Sequence, residues 1–247
     1  MKTLTVLVAA LMVVSVSSCK PKPPRKEDSE SCAELKKKFP DETQPLQKIT
    51  IQGKKVEVYC DMETDGGGWT AILLRAFDDE TNKWESKTFA DHQNYFGSSG
   101  DYWLGLDNIY EMTKVRQKML VHVIDCPGDD DGTRLLYQYF QVGPSTDNYR
   151  LSVEGPADSA KDHLLASNGA QFSALDQDND GNDAQHCSKT YNGGWWYNKK
   201  DSCFDAKLTG KYDENCALGG GKGIHWQTHD KGVSYAAMFI RPEDYKL

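Results

Sequence analysis

The sequence predicts a mixed domain of short helices and strands whose last third is loop-rich, and three observations predict it. A 38% hydrophobic share over 247 residues is enough for a packed core, in one large domain or two small ones. Strand-like and helix-like apolar spacings follow one another as far as Val153. Beyond Ser167 that pattern fades, and Gly, Asp, Asn and Trp dominate as far as Gly232.

The elements follow in order. Lys2 gives a positive start, Leu4 to Val16 is an apolar run, and Ser15, Ser17 and Ser18 offer a cleavage site, so 1–18 reads as a signal peptide. The run is shorter than the roughly 20 residues of a membrane helix, and no second one follows. No membrane span is expected, and the protein is expected to be secreted and extracellular. Val16-Ser17-Ser18-Cys19 also satisfies a bacterial lipobox; the other reading of Cys19 is a free or intermolecular thiol in a short tail. Residues 19–31 form a Pro-rich, charged linker with nothing to bury, too short for a coiled coil. The domain is expected over 32–247.

Within it, Cys32 to Lys38 is a short helical candidate. Lys48 to Cys60 alternates around Gln52-Gly53 and predicts a hairpin. Trp69 to Arg75 predicts a buried strand and Leu106 to Thr113 a helix. Met119 to Ile124, Leu135 to Val142 and Tyr149 to Val153 predict strands. The glycines at 66–68 and 219–221 lack the Lys-Ser/Thr of a phosphate loop and are read as letting backbone pass close to aromatic side chains.

Charge and motifs narrow the function. With 29 basic and 37 acidic residues the formal charge is −8, and no basic stripe is present, so nucleic acid is not an expected partner. His225 and His229 have zinc-helix spacing, but Trp226 stands where the catalytic Glu belongs. No enzyme is expected. Asp176, Asp178, Asp180 and Asp183 crowd four carboxylates into eight residues, which suits a hard cation. Cys187 occupies the twelfth position where an EF-hand needs Glu, so a Ca²⁺ loop of another kind is expected. Seven cysteines leave one over after three internal pairs, and structural disulfides are favoured over zinc knuckles.

Cys60-Asp-Met-Glu-Thr-Asp-Gly-Gly-Gly-Trp-Thr70, then Tyr102 to Ile109, Phe172-Ser173 with Asp176 to Asp180, and Gly193-Gly-Trp-Trp-Tyr197 resemble the fibrinogen-related domain in one order, over about Ser31 to Pro242. The chain is most similar to the ficolin and tachylectin lectins. The resemblance implies an α+β domain with a central antiparallel sheet and a loop-built C-terminal subdomain holding Ca²⁺ and ligand. It implies disulfides Cys32–Cys60 and Cys187–Cys203. It also implies calcium ligation by Asp178 and Asp180, with backbone carbonyls at Asn182 and Gln185. An acetyl-binding pocket is implied at His186, Cys187 and Tyr191. Phe204 stands there in place of a histidine, and Gly220-Gly221 in place of an aromatic-Ala pair.

Cys126 and Cys216 are extra and are expected to pair, which leaves Cys19 to link a homo-oligomer. The implied function is a secreted, calcium-dependent lectin-like protein of innate defence that binds acetylated or other glycans on microbial surfaces. The alternative is a protein-binding module that acts on a receptor or another protein partner.

Overall fold

The computed structural model describes residues 24–76, 83–98, 100–125, 132–198, 203–213, 220–226 and 232–246. The signal peptide, Cys19, the proposed Cys126–Cys216 pair and His229 lie outside the described residues. The chain is α+β, built on a large antiparallel sheet with few, short helices.

Helix α1 (Cys32–Lys38) starts where the Ser31 side chain accepts from the Glu34 N–H, and Lys36, Lys37 and Lys38 sit at its carbonyl end. Cys32, Ala33 and Leu35 form its buried face. The predicted hairpin is β1 (Leu46–Ile51) and β2 (Lys54–Asp61), turning on Gln52 and Gly53, both with positive φ. The Cys32–Cys60 disulfide fastens α1 to β2. The end of the linker docks on β1, where Thr50 donates to the carbonyls of Ser29 and Glu27.

Strand β3 (Trp69–Arg75) is buried along its whole length, as its apolar run demands. The glycines before it have two different neighbours. A Cβ on Gly67 would lie 2.1 Å from the Met62 carbonyl oxygen, whereas one on Gly68 would meet the Tyr245 ring at 3.0 Å. Of these two, Gly68 passes close to an aromatic ring and Gly67 does not.

Helix α2 (Phe89–Gln93) opens with a capping box between Thr88 and Asp91. Strands β4 (Phe96–Ser98) and β5 (Asp101–Trp103) follow, and then α3 (Leu106–Thr113) over the residues its periodicity predicts. Strands β6 (Gln117–Asp125), β7 (Thr133–Val142) and β8 (Leu151–Pro156) come next. Strand β8 begins two residues later than expected because Tyr149 sits in a turn at φ +51°. Its hydroxyl donates to Asp107 and its carbonyl accepts from the Trp196 indole, so a core contact overrides strand geometry there.

In the C-terminal third the described elements are α4 (Cys187–Tyr191), the short pair β9 (Ala206–Lys207) and β10 (His225–Trp226), and β11 (Val233–Pro242). Strand β11 enters the middle of the sheet, in the order β1-β2-β3-β11-β6-β7-β8, with β5 also paired to β3 and β4 to β5. Sequence reading named no strand after Gly232. The chain end therefore closes the centre of the fold, and Ala236 to Ile240 are buried.

An aromatic cluster joins sheet to subdomain. Phe172 packs on Trp103 (6.2 Å between ring centroids) and Trp196 (5.2 Å), and Trp196 packs on Phe140 (6.4 Å). Truncating a buried ring of this size costs about 3–5 kcal/mol, so the loop-rich third rests on a true core. Among the described residues, no helix is long and apolar enough to cross a membrane.

Candidate functional site

The acidic motif divides its labour. Asp176 accepts from the Phe89 N–H (2.7 Å) and caps α2, so it serves structure. Asn179 also turns inward, donating to the Phe172 carbonyl (2.7 Å), and Ser173 and Trp195 exchange a pair of backbone hydrogen bonds beneath it. Asp178 is exposed and Asp180 is buried. One Asp180 oxygen accepts from the Asn182 N–H and the other from the Cys187 N–H, each at 2.8 Å. Burial pushes the Asp180 carboxyl above its ordinary value; the two N–H groups oppose this and the charge of Asp178 adds to it.

An open depression of about 430 Å³ is lined by Asp178 and residues 180–186. Among the described residues no group of three or more His, Cys, Asp and Glu side chains is placed to hold a metal. A metal here must take two carboxylates together with backbone oxygens and water. That donor set fits Ca²⁺, a hard ion tolerant of mixed oxygen ligands. Of the two carbonyls implied by resemblance, that of Asn182 accepts from the Gln185 N–H at 3.3 Å, which leaves a second lone pair.

Helix α4 leads from this loop to the aromatic residues. His186 is its N-cap, with Nε2 3.1 Å from the Ala174 carbonyl oxygen. Cys187 is buried and bonded to Cys203, and the Gln185 amide donates to the Cys203 sulfur. Tyr191 ends the helix, and Asn192 in the left-handed region turns the chain away.

The Tyr191 ring meets Phe204 edge-on, with centroids 5.0 Å apart. Phe204 also packs on His225 (5.2 Å), which lies on β10 rather than on a helix. Gly221 lies against both rings: a Cβ there would stand 2.8 Å from Phe204 Cζ and 2.9 Å from Tyr191 Cδ1. Gly220 has a similar φ, is exposed, and has open space within 4 Å. The pair supplies its own control. Gly221→Ala should destabilise the protein by about 1–3 kcal/mol more than Gly220→Ala in urea melts, since both carry the φ strain and only one carries the clash. Equal losses would show that the ring contact carries no energy.

Sequence reading missed Lys207. Its Nζ donates to the Tyr191 carbonyl (2.6 Å) and lies 5.6 Å from the Phe204 ring centroid, in a fully buried position. The only signal was a lysine inside the short apolar run Ala206 to Leu208.

This arrangement has known counterparts. A model of the family described as fibrinogen beta and gamma chains, C-terminal globular domain, matches residues 29–243. The chain belongs to this family. It is 33% identical to mouse tenascin over 213 residues, which cover 83% of this chain and 10% of tenascin. It is 34% identical to techylectin-5A of Tachypleus tridentatus over 198 residues, 78% of this chain and 65% of that one. The fibrinogen-like globe domain of human ANGPTL6 superposes with a TM-score of 0.78 at 29% identity, covering 94% of this chain and all of that one. Fibrinogen-like domains are non-enzymatic binding modules, and this chain has lectin-named relatives as well as tenascins.

Proposed function

We propose that the chain is a secreted, calcium-dependent recognition protein of innate defence that binds acetylated or other glycans on microbial surfaces. The observation that carries this reading is the double engagement of Asp180 with the Asn182 and Cys187 N–H groups. One buried carboxylate thereby joins the acidic loop to α4, and α4 carries Tyr191.

Asp178 and Asp180 would hold the ion with the carbonyls of Asn182 and Gln185. Bound there, Ca²⁺ supplies the positive charge that offsets the repulsion between the two carboxylates. The remaining work is done by the chain. Asp180 holds the Cys187 N–H, the Cys187–Cys203 bridge holds the start of α4 beside Phe204, and Tyr191 and Phe204 present apolar ring surface to an acyl group. Such sites are shallow and gain from multivalency, which a Cys19-linked oligomer would provide.

A protein partner is the second reading. The placement of Gly221 against Tyr191 and Phe204 favours it, because backbone fills space that an acyl group would otherwise enter.

Asp178→Asn should lower calcium affinity by about tenfold or more, since it removes one charge at an exposed position while keeping an oxygen that can accept from the Asp180 N–H (3.4 Å). Isothermal titration with Ca²⁺ reads this directly. In the same preparation, N-acetylglucosamine resin should retain the wild type with Ca²⁺, release it to EDTA, and retain the variant poorly. Normal calcium binding with no retention of folded wild type would move the assignment to a protein partner.

A further inference from the structure

The outer face of the central sheet holds a second groove, of about 370 Å³, that shares no residue with the acidic loop. That volume lies at the small end of the range for ligand pockets, about 300–1,000 Å³. Tyr59 and Asp61 reach it from β2, Leu120 from β6, Arg134 from β7, and Tyr235 and Phe239 from β11. The strand register places Leu120 opposite Phe239, and the Tyr59 and Phe239 rings stand 6.4 Å apart.

Besides the exposed Glu63 carboxylate, several polar groups in the groove make no hydrogen bond or ion pair to the described residues, and four of them matter here. Two are the hydroxyls of Tyr59 and Tyr235, and the third is the exposed guanidinium of Arg134. The fourth is one oxygen of Asp61, whose other oxygen accepts from the Glu63 and Thr64 N–H groups at 2.9 Å. These groups lie close together. Burial, then Tyr59 and Asp61, pushes the Tyr235 hydroxyl well above an ordinary phenol, and Arg134 pulls it back. Tyr235 is therefore a neutral donor and acceptor at any physiological pH.

The lining selects among ligands. A cation would gain from Asp61 and from the more exposed Glu63 and lose to Arg134, and an anion the reverse. A vicinal diol escapes that conflict, because its hydroxyls accept from the guanidinium and donate to the carboxylate. The Tyr59, Tyr235 and Phe239 rings offer apolar surface to the C–H face of a sugar ring.

We propose that this groove is a second, calcium-independent site for a neutral pyranose. It goes beyond the function proposed above, because neither the acidic loop nor Tyr191 takes part. The full secreted chain would be titrated with the methyl glycosides of glucose, mannose and galactose in EDTA, followed by NMR. At least one should shift the signals of Tyr59, Leu120 and Tyr235 saturably. Arg134→Ala, which removes an exposed side chain with no ion pair among the described residues, should weaken that binding by about tenfold with an unchanged melting temperature.

Three results would overturn the proposal: no shift in the groove with any of the three sugars, equal binding by Arg134→Ala, or tighter binding of glucuronate or glucosamine than of the neutral ring. Shifts at Tyr59, Leu120 and Tyr235 in EDTA report the groove, and sugar-dependent shifts at Tyr191 that require Ca²⁺ report the site beside the acidic loop, so the two readings fail separately.

Discussion

Arg75→Met should cost about 3–5 kcal/mol of folding stability, because it takes the cation away from a buried carboxylate. Arg75 on β3 donates through Nε to Asp101 on β5 (2.6 Å), and both side chains are buried. Its Nη1 donates to the carbonyls of Gly210 (2.7 Å) and Leu208 (3.2 Å), and its guanidinium lies 4.2 Å from the Trp84 ring centroid. The Trp84 indole donates to the same Asp101 carboxylate. One cation therefore ties the sheet to the segment just after β9. Asp101→Asn should cost a similar amount. The double variant should cost less than the sum of the two by about 1–3 kcal/mol, since neither charge is then buried without its counter-charge. Urea melts of the four proteins give this cycle, and strict additivity would show that the pair is not a unit. Amide exchange at 206–210 should also quicken in Arg75→Met, as the carbonyl anchors are lost.

That pair marks where sequence reading stops. Local signals carried far: the Gln52-Gly53 turn, the unbroken apolar run of β3 and the periodicity of α3 each fixed an element within a residue or two. They succeeded because turn chemistry and spacing are properties of neighbouring residues. Strand β11 was not legible, since nothing near Val233 says that it will be inserted between β3 and β6, strands far earlier in the chain. Arg75 was read as the end of a strand, and its carbonyl partners lie more than 130 residues away.

The acidic loop was half legible. Its composition announced an oxygen-rich loop, but Asp176, Asp178 and Asp180 look alike in sequence. Only the fold separates the carboxylate that caps α2, the one left in solvent, and the one that binds the Cys187 N–H. The disulfides Cys32–Cys60 and Cys187–Cys203 came from family resemblance, and both are present.

Lys207→Met should stabilise the protein at neutral pH and remove a pH dependence that the wild type carries. The Lys207 ammonium is fully buried with a carbonyl as its hydrogen-bond partner, and burial, with Arg75 adding, pushes it down to about 7 from an ordinary 10.5. The sign follows from proton counting. Between pH 7 and 10.5 the unfolded chain holds this proton and the folded chain has released it, so stability rises as pH rises through that window. From pH 7 to pH 9 the gain is about 2 kcal/mol, and below pH 7 the full penalty of burying the charge is present. Methionine keeps the apolar stem and carries no charge, at the expense of the Tyr191 carbonyl bond, worth about 1 kcal/mol. The variant should therefore be more stable than wild type at pH 6–7 by more than that bond is worth, and its advantage should shrink towards pH 9. Urea melts of both proteins across pH 6–9 isolate the effect, since every other titrating group is common to the two. Parallel profiles would mean that Lys207 keeps its charge throughout, and that an anion in or near the Tyr191–Phe204 contact neutralises it.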